Sequence, residues 1–93
     1  MQQEESRVEP YDNTMLSVGD IDTASMLVAK GHELVSVDKI SNKKSGFIFK
    51  KTRDTEQLIQ DYWLDRVDVR ALAFATARKN LKSRLFGLDT IRY

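Results

Sequence analysis

One stretch decides the fold: residues 33–50, which read ELVSVDKISNKKSGFIFK. Its two ends are rich in β-branched and aromatic residues, and its middle carries the asparagine, serines and glycine that favour a turn. The pattern predicts an antiparallel hairpin with strands over residues 33–41 and 46–50.

The faces of the two strands follow from the alternation of side chains. In the first strand, alternation places Val35 and Val37 on one face and Leu34 on the other. In the second, Phe47 and Phe49 share a face, and we expect this face to be core rather than a platform for bases because the chain has few other large side chains.

A helix is predicted before the hairpin, over residues 21–30. Its apolar residues recur at three- and four-residue spacing: Ile21, Ala24, Leu27 and Val28. Asp20 or Asp22 supplies the N-cap, and Gly31 supplies the left-handed residue that ends the helix.

Two helices are predicted after the hairpin. The first starts near Thr55 with Asp54 as its cap and Gln57 closing a capping box, and it ends around residues 64–65. The second starts after Asp68 and runs to about Phe86, before a stop at Gly87. A hydrophobic staple between Val67 and Leu72 is expected at its start.

These elements predict an α+β fold in the order α-β-β-α-α, with a two-stranded antiparallel hairpin packed on helices in two layers. Residues 19–87 form the single domain. Residues 1–18 are predicted to be an acidic flexible tail, and residues 88–93 a short C-terminal tail.

The composition fits one small globular domain, because 41% of the 93 residues are hydrophobic and 31% are charged. There is no cysteine, which excludes disulfides and thiolate metal sites. No apolar run is long enough to span a membrane, and the first residues do not have the pattern of a signal peptide. We therefore expect a cytoplasmic protein with no membrane partner.

Catalytic motifs are not found in the sequence. His32 is the lone histidine and is expected to lie beyond the end of the first helix rather than to bind a metal. The paired carboxylates sit at predicted helix starts, where capping explains them. The sequence therefore predicts no enzyme, no cofactor and no metal.

The charge is distributed in blocks, although the formal net charge is only +1. Residues 1–22 hold six acids and one base, whereas residues 39–53 hold six bases and no acid. Residues 54–68 then hold five acids and one base. Such blocks affect association with partners rather than the fold.

The basic residues of the hairpin and the last helix are the predicted nucleic-acid-binding site. They are Lys43, Lys44, Lys50, Lys51, Arg53, Arg78, Lys79 and Lys82. Lysines and arginines that neutralise phosphates release counterions, so we expect a small nucleic-acid-associated accessory protein that binds mainly through phosphate contacts. Lysines on edge strands also prevent aggregation, and this second interpretation explains the same residues.

Three further hypotheses remain open. The alternative function is a protein–protein interaction module, for example a phage factor that binds or inhibits a host protein through acidic segments. Two copies could also pair as a homodimer through hairpin edges, because a lone two-stranded hairpin is marginally stable. The acidic tail could instead fold over the basic face and weaken binding.

Three short motifs carry a resemblance to a known family: AKGHEL at residues 29–34, FIF at 47–49 and LKSRLF at 81–86. With these, residues 20–86 resemble a small uncharacterised domain family, a domain of unknown function found in bacterial, plasmid and phage genomes. The resemblance implies an α+β fold and a phage or mobile-element context, and it carries over no catalytic residue.

Overall fold

The computed structural model describes residues 14–41 and 44–90. Within these ranges the elements are β1 (Met15–Val18), α1 (Ile21–Ala29), β2 (Leu34–Ser41), β3 (Lys44–Lys50), α2 (Arg53–Trp63) and α3 (Ala71–Thr90). The predicted α+β class is confirmed. The order is β-α-β-β-α-α, because a strand that we did not predict precedes α1.

The additional strand, β1, comes from the segment that we expected to be a tail. It pairs antiparallel with β3, so that the sheet order is β1-β3-β2 and β3 is central. Leu16 lies opposite Phe49 and Val18 opposite Phe47. The strand forms because both apolar side chains extend the buried face of the hairpin. The rest of the predicted tail, residues 1–13, lies outside the described residues.

Strand β1 also affects the predicted homodimer. We expected both outer edges of the hairpin to be open, but β1 pairs with the edge of β3 that faces away from β2. Among the residues that the structure describes, the outer edges of β1 and β2 have no neighbouring strand. The homodimer stays a prediction.

The alternation predicted for β2 is wrong at its start. Leu34 pairs with Phe49 and Ser36 with Ile48, so Val35 is the extra residue of a β-bulge. The bulge shifts the alternation by one residue, and both Leu34 and Val37 therefore pack against the core. Val35 is 45% exposed.

Helix α1 has the boundaries that its sequence predicts. The Asp20 carboxylate accepts a hydrogen bond from the Thr23 amide at 2.9 Å, and Gly31 adopts φ 100°. The His32 amide donates to the Leu27 carbonyl and the Gly31 amide to the Val28 carbonyl, each at 3.0 Å, which is a Schellman motif.

Helix α2 begins earlier than expected because its cap is Thr52 rather than Asp54. The Thr52 hydroxyl accepts from the Thr55 amide at 3.0 Å, and the Thr55 hydroxyl accepts from the Thr52 amide at 2.9 Å. The capping box is thus formed by two threonines, and Gln57 has no part in it.

Helix α3 differs from the prediction at both ends. It begins at Ala71, and Leu72 is 78% exposed, so the predicted staple with Val67 does not form. Gly87 does not stop the helix, since it lacks the positive φ of a terminating glycine and the helix continues to Thr90.

The core lies between one face of the sheet and the helices. Phe47 and Phe49 are buried at 1% and 0% exposure, which confirms that they are core residues. They pack in one cluster with Val18, Ala24, Met26, Leu27 and Leu81. Helix α1 packs against both α2 and α3, so its residues Thr23 to Leu27 are all buried.

Candidate functional site

A cleft of about 560 Å³ lies between the tip of the hairpin and the second half of α3. We call it the basic cleft. It is lined by Gly19, Asp20, Ile21, Lys39, Lys44, Ser45, Phe47, Arg78, Lys82 and Leu85.

The unequal lengths of two helices create the basic cleft. Helix α1 has 9 residues and α3 has 20, so α3 is longer by roughly 16 Å. The Arg78 side chain is hydrogen-bonded to Asp22, so Arg78 lies beside the first turn of α1. The residues of α3 beyond Arg78 therefore extend past α1 and face the hairpin tip, where Lys82 and Leu85 line the cleft.

Two lysines give the cleft its uncompensated positive charge. Lys44 comes from β3 and Lys82 from α3, and both are exposed. Neither has a carboxylate within ion-pair distance among the residues that the structure describes. Asp20, the acid in the lining, already accepts hydrogen bonds from the Thr23 amide and hydroxyl. The pair is therefore available to an anionic ligand.

Arg78 lies at the wall of the cleft in an ion pair. Its Nε donates to Asp22 Oδ1 at 2.7 Å, and the side chains are 41% and 46% exposed. A guanidinium has five N–H donors, and this contact uses one of them. Arg78 can therefore contact a phosphate through its other donors, or exchange Asp22 for the phosphate altogether.

The structure does not bring all predicted basic residues together. Lys50 is six residues along β3 from Lys44, or about 20 Å at the rise of a strand. Lys51 pairs with Glu56 at 3.5 Å, and Arg53 opens α2 at the same end of the sheet. These three residues lie away from the basic cleft. Lys43 lies outside the described residues.

Lys39 is a cleft residue that the predicted site omitted. It pairs with Ser45 and stands two residues after Val37, on the helix-facing side of β2. The alternation of Val37 and Lys39 could have identified it, because the two register shifts of β2 lie before Ser36 and after Lys39. With Lys39, four basic side chains line the cleft.

A second concavity, the outer groove, continues from the cleft along α3. It has a volume of about 630 Å³ and is lined by Lys79, Lys82, Ser83, Leu85, Phe86 and Gly87. Lys82 and Leu85 line both concavities. The predicted residue Lys79 thus lies in the outer groove rather than in the cleft.

The acids at the start of α1 also act on Tyr62. Burial raises the pKa of the Tyr62 phenol, and the negative charges of Asp22 and Asp20 raise it further. Tyr62 stays a neutral phenol near pH 7, and its ring makes an edge contact with Trp63. Of these two acids, Asp20 lines the basic cleft.

His32 lies beyond the end of α1, as expected, with its Nε2 at 3.6 Å from Asp54 Oδ2. No group of three or more histidine, cysteine or carboxylate side chains is arranged to hold a metal in the part of the chain that the structure describes. Across residues 14–41 and 44–90, no helix is long and apolar enough to cross a membrane. The absence of enzymatic activity stays a prediction.

The family model of the domain of unknown function DUF5659 matches residues 13–87. The chain belongs to this family. The match confirms the predicted resemblance to a domain of unknown function, and it includes β1, in agreement with Met15–Val18 being part of the sheet. No curated protein and no solved structure matches the chain significantly.

Proposed function

We propose that the chain binds nucleic acid through backbone phosphates held in the basic cleft. The proposal is supported by the position of Lys44 and Lys82, which are distant in sequence but line the same cleft. Neither has an acidic partner among the described residues. Uncompensated lysines that converge on an open cleft favour a polyanion, because each phosphate contact releases counterions.

Contacts to phosphates explain the cleft better than contacts to base edges. Its floor is Phe47, which is buried and offers no exposed ring for stacking. Among the side chains that line it, the long ones that can reach a ligand are cationic, and Arg78 has the planar fork that suits phosphate oxygens. The proposed binding residues are therefore Lys39, Lys44, Arg78 and Lys82.

Neutralising two cleft lysines tests the proposal. Replacing Lys44 and Lys82 by glutamine should weaken binding of a labelled oligonucleotide and reduce the slope of log affinity against log salt by about 1.5. Fluorescence anisotropy between roughly 50 and 200 mM salt measures both quantities. The matched control replaces Lys50 and Lys51 by glutamine, which removes the same charge at the other end of β3.

Two outcomes would reject the proposal. The first is no binding by the unchanged protein at low salt, and the second is an equal loss in the two double variants. The second outcome would mean that net charge, rather than the cleft, governs binding.

Asp22 is expected to compete with a phosphate for Arg78, because its carboxylate accepts a hydrogen bond from the Arg78 guanidinium. Asp22→Asn keeps the size of the side chain and removes the charge, so affinity at low salt should rise about threefold to tenfold. The cost in folding stability should stay below about 1 kcal/mol, since the ion pair is half exposed.

Glu56→Gln provides the matched control for Asp22. Glu56 also pairs with a base, Lys51, but it lies outside the cleft. An equal gain in affinity for Asp22→Asn and Glu56→Gln would contradict a specific role for Asp22. Anisotropy titrations at one low salt concentration give the comparison directly.

A second candidate function is the binding of a basic segment of another protein, such as a host protein, by α2. This helix carries the acids Asp54, Glu56 and Asp61, and at its end Trp63 is 64% exposed. An exposed tryptophan beside acids suits a basic amphipathic partner. Recovery of one stoichiometric protein that resists nuclease and is lost in Trp63→Ala would favour this candidate. With either function, we propose a cytoplasmic location and a phage or mobile-element origin.

A further inference from the structure

The basic cleft ends on the core of the domain. Ile21, Phe47 and Leu85 line the cleft, and all three also belong to the core or pack against it. Helix α3 packs against α1 and also contacts β2, so among the described residues these elements close the cleft on its inner side. A polymer can enter such a cleft with one of its ends, but it cannot pass through.

From this shape we infer that the basic cleft binds the phosphorylated end of a nucleic-acid strand, through the terminal phosphate monoester. The inference rests on the proposed function and deepens it, because the same lysines contact the phosphate. A terminal phosphate can move down into the closed cleft. An internal phosphate is joined to nucleotides on both sides, and it can meet the cleft only at its rim.

The charge of the cleft fits a terminal phosphate better than an internal one. Lys44 and Lys82 bring two positive charges that have no acidic partner among the described residues. A phosphate monoester carries a charge of about −1.5 to −2 near pH 7, whereas an internal diester carries about −1. One monoester can therefore neutralise both lysines, but one diester leaves part of their charge uncompensated.

The cationic groups reach the cleft from two elements. Lys44 belongs to β3, whereas Arg78 and Lys82 are four residues apart on one face of α3. The Arg78 guanidinium donates one N–H to Asp22, and its other donors remain for a ligand. A phosphate monoester has three free oxygens, so it can accept hydrogen bonds from the hairpin and from α3 at the same time.

The experiment compares four forms of one oligonucleotide on the full chain. They are a linear strand with a 5′-phosphate, one with a 3′-phosphate, one with hydroxyl groups at both ends, and a circular strand without ends. At least one phosphorylated form should bind about fivefold more tightly than the hydroxyl-ended and circular forms, because one additional ion contact at an exposed site contributes up to about this factor. Fluorescence anisotropy with the label on an internal base measures the four affinities.

Two lysine variants locate the contact. Lys82→Gln should remove most of the preference for a phosphorylated end. Lys79→Gln is the matched control, because it removes the same charge from the same helix but lines the outer groove and not the cleft. It should weaken all four forms by the same factor and keep the preference. Circular dichroism of both variants verifies that α3 is intact.

A nucleoside monophosphate distinguishes the end of a strand from a small phosphate compound. It carries the same monoester but has no further phosphates, so it should bind at least about tenfold more weakly than the preferred phosphorylated strand. If it binds as tightly as that strand, the cleft belongs to small phosphate monoesters and the inference is wrong.

The remaining outcomes separate this inference from the proposed function. Equal affinity of the unchanged protein for the four forms would overturn the inference and leave the phosphate site standing. A preference that Lys79→Gln and Lys82→Gln reduce equally would overturn it as well, because net charge rather than the cleft would then recognise the end. Failure to bind any form at low salt would reject the proposed function, and the inference with it.

Discussion

Replacing Phe49 by alanine should lower the free energy of unfolding by about 3 to 5 kcal/mol. The side chain is 0% exposed in the central strand of the sheet, and its backbone neighbours are Leu16 on β1 and Leu34 on β2. Both neighbours pack on the same core, so the cavity left by the ring is enclosed and cannot collapse easily. Urea denaturation followed by circular dichroism measures the loss.

A loss of this size should remove a large part of the stability of the domain. Small domains are stabilised by about 5 to 15 kcal/mol in total, and a chain of 93 residues has a small core. Phe86→Ala is the matched control, because it removes the same ring from an exposed position and should change stability by no more than about 0.5 kcal/mol. Similar stabilities of the two variants would contradict the core described above.

Replacing Thr55 by valine should cost about 1 to 3 kcal/mol, although the two side chains have nearly the same shape. Thr55 is 1% exposed, and its hydroxyl accepts a hydrogen bond from the Thr52 amide at 2.9 Å. It also lies 3.0 Å from the Thr52 carbonyl, to which it donates. Valine leaves the Thr52 amide without its partner at the start of α2, so the helix loses half of its capping box.

Thr55→Ser distinguishes the hydroxyl from the methyl group. Serine keeps the hydrogen bonds and loses only one buried methyl, so it should cost about 1 kcal/mol. If serine proves as destabilising as valine, the capping box does not contribute what we assign to it. Denaturant unfolding of both variants, followed by circular dichroism, gives the comparison.

Local signals predicted the elements of the fold. Asp20 and Gly31 act on backbone groups only a few residues away in the chain. Their positions therefore predict the boundaries of α1. The hairpin was predicted from its turn and its flanking strands for the same reason. The N-cap of α2 was predicted wrongly because two candidates, Thr52 and Asp54, lie close together. The structure has Thr52 as the cap, since its capping-box partner Thr55 is buried.

The candidate site was predicted only in part. Lys44, Arg78 and Lys82 were chosen for their charge, and they do line one cleft. Their charge alone could not separate them from Lys50, Lys51 and Arg53, because the length of β3 places the two sets at opposite ends of the sheet. Phe86 was read as the end of a helix, whereas the extension of α3 past Gly87 leaves it within an exposed helical face.

The sequence by itself determined the class of the fold, the limits of α1, the hairpin and the unequal distribution of charge, since these depend on residues close together in the chain. The tertiary structure alone decided that Met15–Val18 pairs with β3 and that Val35 forms a bulge. It also decided that α3 faces the hairpin tip across a cleft. These features depend on contacts between elements that are not adjacent along the chain. The free energy of burying their apolar faces depends on all the elements together rather than on any one of them.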